Sequence, residues 1–498
     1  MMRPPRFAGI LARTMRKLAA LAVAAACARG QAAAPQRRIA LSPCRLKGTV
    51  LGAQCGALRV AEDRQKPQGR QIDVRVAVVP ALARAPAPDA LFLLAGGPGQ
   101  AATEVMGPML GALERVHRTR DIVLVDQRGT GSSHALRCDL APTDATLAQR
   151  LSSETLSEEK FRRCLAAYDA DPRMYTTSIA MQDLDEVREA LGYDQIDLWG
   201  ASYGTRAALV YLREHGERVR AAVLDGVAPL SLRLPLYFAR DAQRSMDLLF
   251  KHCREDGACS SAFPDLERRF GELLRKLETH PPRARVADPV SGRFTEVEIG
   301  RDVFAGGLRS VLYQQDFASL VPLIVDRAAQ SDFGPFVAAA SAFDQGGART
   351  MSLGMLFSVI CAEDIPFIAP GEIDEQARGT FLGPRPAREF ARICSFWPRG
   401  ALPAGFREPV RSDKPVLLLS GELDPVTPPQ WAEEARKTLP NSVHLIVAGV
   451  GHNVTAEGCV PQLIDRFLTR AKTAGLDASC LEPLRRPPFF VTFAGPRP

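Results

Sequence analysis

A serine hydroxyl attacks a carbonyl only when a base takes its proton and a carboxylate orients that base. Three loop residues of this 498-residue chain have the types and contexts for such a relay. Ser202 lies between two glycines in Gly200-Ala201-Ser202-Tyr203-Gly204. The strand-like run Ile196-Asp197-Leu198-Trp199 precedes it, and helix formers from Thr205 to Leu212 follow. A serine between glycines at a strand-to-helix turn is a nucleophile elbow, so tight that only small residues fit two places either side. Of seven histidines, His452 alone sits on a glycine-rich loop just past a late strand-like run, Ser442–Val447. His444 lies inside that run and reads as packed.

The orienting acid is expected on the strand end before that histidine. Ser420-Gly421-Glu422-Leu423-Asp424-Pro425 offers two carboxylates. Asp424, held by the Pro-rich turn that follows, is the assigned acid, and Glu422 is its rival. The attack creates an oxyanion that needs preorganised donors. One is the Tyr203 amide, next to the nucleophile. The other is assigned to the Gly97 amide in Gly96-Gly97-Pro98-Gly99, a loop whose glycines let backbone approach a substrate. The order Ser202, Asp424, His452 is that of α/β hydrolases rather than of the other common serine-protease folds.

These loops need strands to hold them. Apolar or alternating runs at 56–60, 72–79, 90–94, 121–125, 196–199 and 220–226 read as strands, with helices near 106–116 and 178–191 between them. Such alternation predicts a mostly parallel sheet covered by helices, with the site beyond the strands' carboxyl ends. The rhythm breaks after Pro229 and resumes at Lys414. The reading is an α/β-hydrolase core over 35–228 and 404–498, with a large helical cap inserted at 229–403. One hairpin is expected in the cap, around Pro289 to Gly292.

Composition bounds the rest. The net charge of +7 suggests nucleic acid only until it is located. The first 34 residues carry six of the 63 basic residues and none of the 56 acidic ones, so the remainder is nearly neutral. No basic patch with interleaved aromatics remains to bind nucleic acid. Residues 1–34 read as a secretory signal: a positive region ends at Arg16-Lys17, and an apolar run, Leu18 to Ala26, is too short to span a bilayer. Val23-Ala24-Ala25-Ala26-Cys27 also resembles a lipoprotein box, with Ala24 where a larger residue is usual. A lipid anchor at Cys27 and ordinary cleavage near Ala28 or Ala32 both stay open. An exported protein, periplasmic or secreted, follows from either. No other stretch is apolar enough to cross a membrane.

Eleven cysteines support export. Setting Cys27 aside, ten remain as near neighbours, and sequential pairing is expected: Cys44/Cys55, Cys138/Cys164, Cys253/Cys259, Cys361/Cys394 and Cys459/Cys480. No C-x-x-C pair or Cys/His cluster suggests a metal, and the proposed chemistry needs no cofactor.

Gly96-Gly97-Pro98-Gly99, Asp126-Gln127-Arg128-Gly129-Thr130-Gly131-Ser132 and Gly200-Ala201-Ser202-Tyr203-Gly204-Thr205 together resemble the prolyl aminopeptidase family of α/β hydrolases. Gly421 to Pro428 and Gly451-His452 resemble its secreted, tripeptidyl-aminopeptidase branch. The likeness implies a serine exopeptidase acting on short peptides with free N-termini. Cytoplasmic members have a histidine before the double glycine where this chain has Ala95, which favours the secreted branch. In this family the cap supplies carboxylates for the substrate's α-ammonium. The Val359-Ile360-Cys361-Ala362-Glu363-Asp364 segment nominates Glu363 and Asp364 for that role. Asp126 and Arg128 are expected to form a structural ion pair beneath the site. The alternative activity is a carboxylesterase or amidase using the same triad on small molecules.

Overall fold

The computed structural model describes residues 1–2, 38–138, 145–151, 156–346 and 350–496. The expected secretory signal and Cys27 lie outside the described residues. Residues from Ile39 onward form one compact unit.

The strands of the core are β1 (Ser42–Arg45), β2 (Gly52–Ala61), β3 (Gln71–Val79), β4 (Ala90–Leu94), β5 (Ile122–Val125), β6 (Ile196–Ala201) and β7 (Val219–Asp225). A small hairpin, β8 (Arg283–Ala287) and β9 (Phe294–Glu298), belongs to the insertion, and β10 (Val416–Gly421) and β11 (Ser442–Val447) return to the core. Nine strands make one sheet in the order β1-β2-β3-β5-β4-β6-β7-β10-β11. From β5 to β11 every neighbouring pair is parallel, and β1, β2 and β3 add an antiparallel edge.

Parallel strands covered on both faces read as unbroken apolar runs, because each face needs apolar side chains. β4, β6 and β10 are buried at every position. Their side chains alternate between two cores. Phe92, Leu198, Leu224 and Leu418 pack with Leu184, Val187 and Leu209 of the helices Thr177–Leu191 and Tyr203–Glu214. Leu91, Trp199, Val223 and Leu417 face the other way, onto Ile464 and Phe467 of the helix Val460–Arg470.

The helix expected over 106–116 is three short turns instead, Ala102–Val105, Met109–Ala112 and Glu114–His117. A Cβ on Gly107 would come within 1.9 Å of the Lys47 carbonyl oxygen. That close approach, followed by Pro108 with no amide hydrogen, interrupts the helix.

Between β7 and β10 the insertion carries helices from Phe238–Glu255 to Arg385–Cys394 plus the β8–β9 hairpin, whose turn falls where Pro289 to Gly292 predicts it. Met246, Phe270, Phe304, Leu308 and Phe336 build its own apolar core. All five disulfides join sequential cysteines: 44–55, 138–164, 253–259, 361–394 and 459–480. No helix among the described residues is long and apolar enough to cross a membrane.

Candidate active site

Ser202 closes β6 and opens the helix Tyr203–Glu214, with φ 55° and ψ −122°. A non-glycine residue there costs about 1–3 kcal/mol and persists only when its surroundings impose it. Here they do. A Cβ on Gly200 would stand 2.4 Å from the Gly204 carbonyl oxygen, and one on Gly204 would stand 2.0 Å from that of Leu94. The Ser202 amide donates to the Asp225 carbonyl at the end of β7, 2.9 Å away. Its own carbonyl accepts from the Thr205 hydroxyl at 2.6 Å. Ser202 is partly exposed, while the residues around it are closed in.

The Gly96-Gly97 loop leaves β4 directly beside the elbow. A Cβ on Gly96 would sit 3.2 Å from both the Ser202 Cβ and the Ala201 carbonyl oxygen. Gly97 has φ 111°, a conformation glycine adopts freely. The cap pins this loop from above: the Ser352 amide donates to the Gly99 carbonyl at 2.9 Å, and Gln100 bridges Met351. Among the described residues, neither the Gly97 nor the Tyr203 amide donates to a backbone carbonyl.

Asp424 is fully buried in the turn after β10. One carboxylate oxygen accepts from the Val426 and Thr427 amides at 2.7 and 2.8 Å. The other accepts from the Thr427 hydroxyl at 2.9 Å and faces His452 Nδ1 at 2.8 Å. Burial alone would raise this carboxyl. Attraction to His452 and the four hydrogen bonds outweigh it and hold Asp424 below the usual carboxylate range. The rival Glu422 turns away and accepts from the Gly449 amide at 2.8 Å.

His452 is fixed from both sides. Its amide donates to the Tyr313 carbonyl of the cap at 2.7 Å, and the Tyr313 ring meets the imidazole edge-on at 5.3 Å. Below, the buried Asp225 carboxylate accepts from the Val454 and Thr455 amides and from the Thr455 hydroxyl at 2.9, 2.8 and 2.6 Å. A Cβ on Gly226 would stand 3.1 Å from His452 Cε1. Serine, imidazole and carboxylate thus converge on the carboxyl ends of β6, β7, β10 and β11. No hydrogen bond joins the Ser202 hydroxyl to His452 directly. In ligand-free enzymes such contacts are often long and tighten with substrate.

Three contributors escape the sequence reading. Thr427 bridges acid and base, its hydroxyl 3.2 Å from His452 Nδ1. Asp225 anchors the histidine loop, and the Tyr313 carbonyl receives the histidine amide. The proline-flanked Val-Thr after Asp424 is a signal for the first. The other two depend on long-range packing and leave no local trace.

Two expectations need correction. Glu363 and Asp364 are fully buried rather than at the mouth of the site. Asp364 pairs with Arg206 at 2.9 Å and Arg407 at 3.4 Å. Glu363 accepts from the Thr177 amide and hydroxyl at 2.6 and 2.8 Å. Burial pushes its carboxyl up to about 7, against the opposing pull of Arg206. Carboxylates so engaged tie the cap helix Leu353–Glu363 to the helix behind Ser202 and offer no free oxygen to a substrate ammonium. Nor do Asp126 and Arg128 pair with each other. Arg128 binds Asp183 through two bonds of 2.6 and 2.8 Å, and Asp126 accepts from the Thr103 amide and hydroxyl, both at 2.8 Å.

Residues 380–480, which hold both Asp424 and His452, match the model of the family described as "TAP-like protein". The chain is 26% identical over 487 residues to serine protease Hip1 of Mycobacterium tuberculosis (strain ATCC 25618 / H37Rv), covering 88% of this chain and 90% of that protein. It is 23% identical over 456 residues to tripeptidyl aminopeptidase of Streptomyces lividans, covering 86% and 83%. It is 26% identical over 454 residues to carboxylesterase B of Mycobacterium tuberculosis (strain CDC 1551 / Oshkosh), covering 83% and 84%. The chain is therefore a serine hydrolase of the α/β-hydrolase fold, similar to tripeptidyl aminopeptidases over most of its length.

Proposed function

We propose that the protein is an exported serine exopeptidase that releases N-terminal residues or short peptides from small peptides through an acyl-enzyme. The observation that carries the catalytic part is the 2.8 Å contact of His452 Nδ1 with the buried Asp424. It fixes the tautomer that leaves Nε2 free to accept a proton. Ser202 attacks the peptide carbonyl as His452 takes its proton. Asp424 stabilises the resulting imidazolium. The Tyr203 and Gly97 amides, free of backbone acceptors, bind the oxyanion. His452 returns the proton to the leaving amine, and water activated by the same imidazole releases the acyl group.

The peptide end-specificity rests on likeness to a relative named tripeptidyl aminopeptidase. Export is supported by five disulfides, which persist in oxidising compartments. A second reading, hydrolysis of small esters or amides, is favoured by the relative named carboxylesterase B. Peptides paired with their Nα-acetylated forms separate the two. The exopeptidase reading requires turnover to vanish on acetylation. Equal turnover of both forms, or hydrolysis of esters alone, moves the assignment to the second reading.

A further inference from the structure

Arg309 lies on the cap helix Arg301–Val311, one turn before Tyr313. Its guanidinium stacks over the Tyr313 ring at 5.4 Å and the Phe238 ring at 4.4 Å. Its Nε and Nη2 are closed off from solvent and have no hydrogen-bond partner. Two other arginines of the cap have acidic or carbonyl partners: Arg240 pairs with Asp241 at 2.9 Å, and Arg244 donates to the Glu422 carbonyl at 3.0 Å. Among the described residues no carboxylate lies within ion-pair distance of Arg309. A guanidinium cannot shed its proton to escape burial. Withdrawn donors without acceptors carry a standing cost that an incoming anion removes.

This cation also lies close to His452. The Tyr313 ring that it covers is the ring that meets the His452 imidazole edge-on at 5.3 Å. Arg309 is therefore no farther from the imidazole than the 5.4 Å and 5.3 Å separations laid end to end. An extended peptide advances about 3.3–3.6 Å per residue, so that span is roughly three residues. Planar, two-pronged guanidinium matches carboxylate geometry, and the aromatic rings exclude the competing water.

We propose that Arg309 is a specificity-determining residue that anchors a substrate carboxylate within about three residues of the scissile bond. The inference rests on the peptidase reading above and narrows its substrate class to anionic peptides. The carboxylate has two sources, the C-terminus of a short peptide or an Asp or Glu side chain.

The test compares kcat/KM for matched peptide pairs. One set carries a free C-terminal acid or its amide, and the other carries Asp or Glu against Asn or Gln at each of three positions on either side of the cleaved bond. The wild type should prefer one charged series by roughly 10–100-fold, mainly through KM, as expected for a charge-assisted hydrogen bond. The set that shows the preference identifies the source. In Arg309→Met the charged-to-neutral ratio should collapse towards one, and Arg309→Lys should keep part of it. Fluorophosphonate labelling of Ser202 in both variants reports that the fold is intact. A wild type indifferent to charge in both sets overturns the proposal, as does a ratio unchanged in Arg309→Met. Labelled wild type that cleaves no peptide sinks the peptidase reading instead. Ester pairs with and without a carboxylate then run the same comparison on Arg309.

Discussion

His452 Nδ1 and Asp424 Oδ2 stand 2.8 Å apart, and the Thr427 hydroxyl touches both partners, at 3.2 and 2.9 Å. Asp424 thus holds the imidazole in one tautomer while Thr427 and two amides hold Asp424. Replacing the carboxylate by an amide of the same shape reverses the orientation signal without leaving a cavity. Asp424→Asn should lower kcat by about 10⁴-fold with little change in Tm. Glu422→Gln, whose side chain faces Gly449, should stay within a few-fold of wild type. Steady-state kinetics beside thermal melts check both.

Thr427→Val removes one of four donors to a buried anion while keeping the residue's volume. Loss of one hydrogen bond to a charged group predicts about a 10-fold fall in kcat/KM. Thr427→Ser should restore most of it, because the hydroxyl alone is at issue. A valine variant with full activity would show that the amides suffice.

Asp225 tests whether the histidine loop needs its own anchor. Its carboxylate accepts the Val454 and Thr455 amides and the Thr455 hydroxyl. Asp225→Ala leaves two buried amides unpaired and should destabilise the fold by about 2–4 kcal/mol, with a fall in kcat as His452 drifts. Asp225→Asn keeps one acceptor oxygen and should lose less of each. Urea midpoints and kcat measured together decide it.

Much of this arrangement was legible in the chain because the elements are locally encoded. Ala90–Leu94 and Val416–Leu419 are apolar runs, each followed two residues on by a glycine, and strands buried on both faces must be apolar throughout. The elbow is legible because a Cβ at Gly200 or Gly204 would collide with backbone. Sequential cysteines pair because near neighbours close short loops. The roles of Glu363 and Asp364 were not legible. Whether a carboxylate faces a cavity or an arginine depends on how the cap seats on the core, and Arg206 and Arg407 are far away in sequence. Arg128 found Asp183 for the same reason: pairing of buried charges is decided by tertiary contact rather than by spacing.

Glu363 gives a pH prediction with a definite sign. Its folded-state value, about 7, lies above the ordinary Glu value near 4.3. The native state therefore holds this proton more tightly than the unfolded chain. Its contribution is fully favourable below the unfolded value and is lost as pH rises through about 7. Urea midpoints should fall between pH 5 and 8, and Glu363→Gln should flatten that slope. The same variant should leave KM for free-amine peptides within about two-fold of wild type, since this side chain bonds Thr177. A KM rise confined to free-amine substrates would return Glu363 to amine binding.

The Cys361–Cys394 bridge spans 33 residues and ties the Leu353–Glu363 helix to the Arg385–Cys394 helix. Replacing both cysteines by alanine should cost about 3–4 kcal/mol through the unfolded chain's regained freedom. Thermal melts of the double variant measure this directly.

Covalent capture of the nucleophile bears most directly on the central claim that Ser202 forms an acyl-enzyme with His452 as its base. Intact-mass analysis of the wild type after a fluorophosphonate should show one adduct, mapped by peptide sequencing to Ser202. The adduct should form at least 10²-fold more slowly in His452→Ala, the scale of general-base assistance, and be absent in Ser202→Ala. A wild type that stays unmodified while hydrolysing substrate, or an adduct on another residue, would contradict the account.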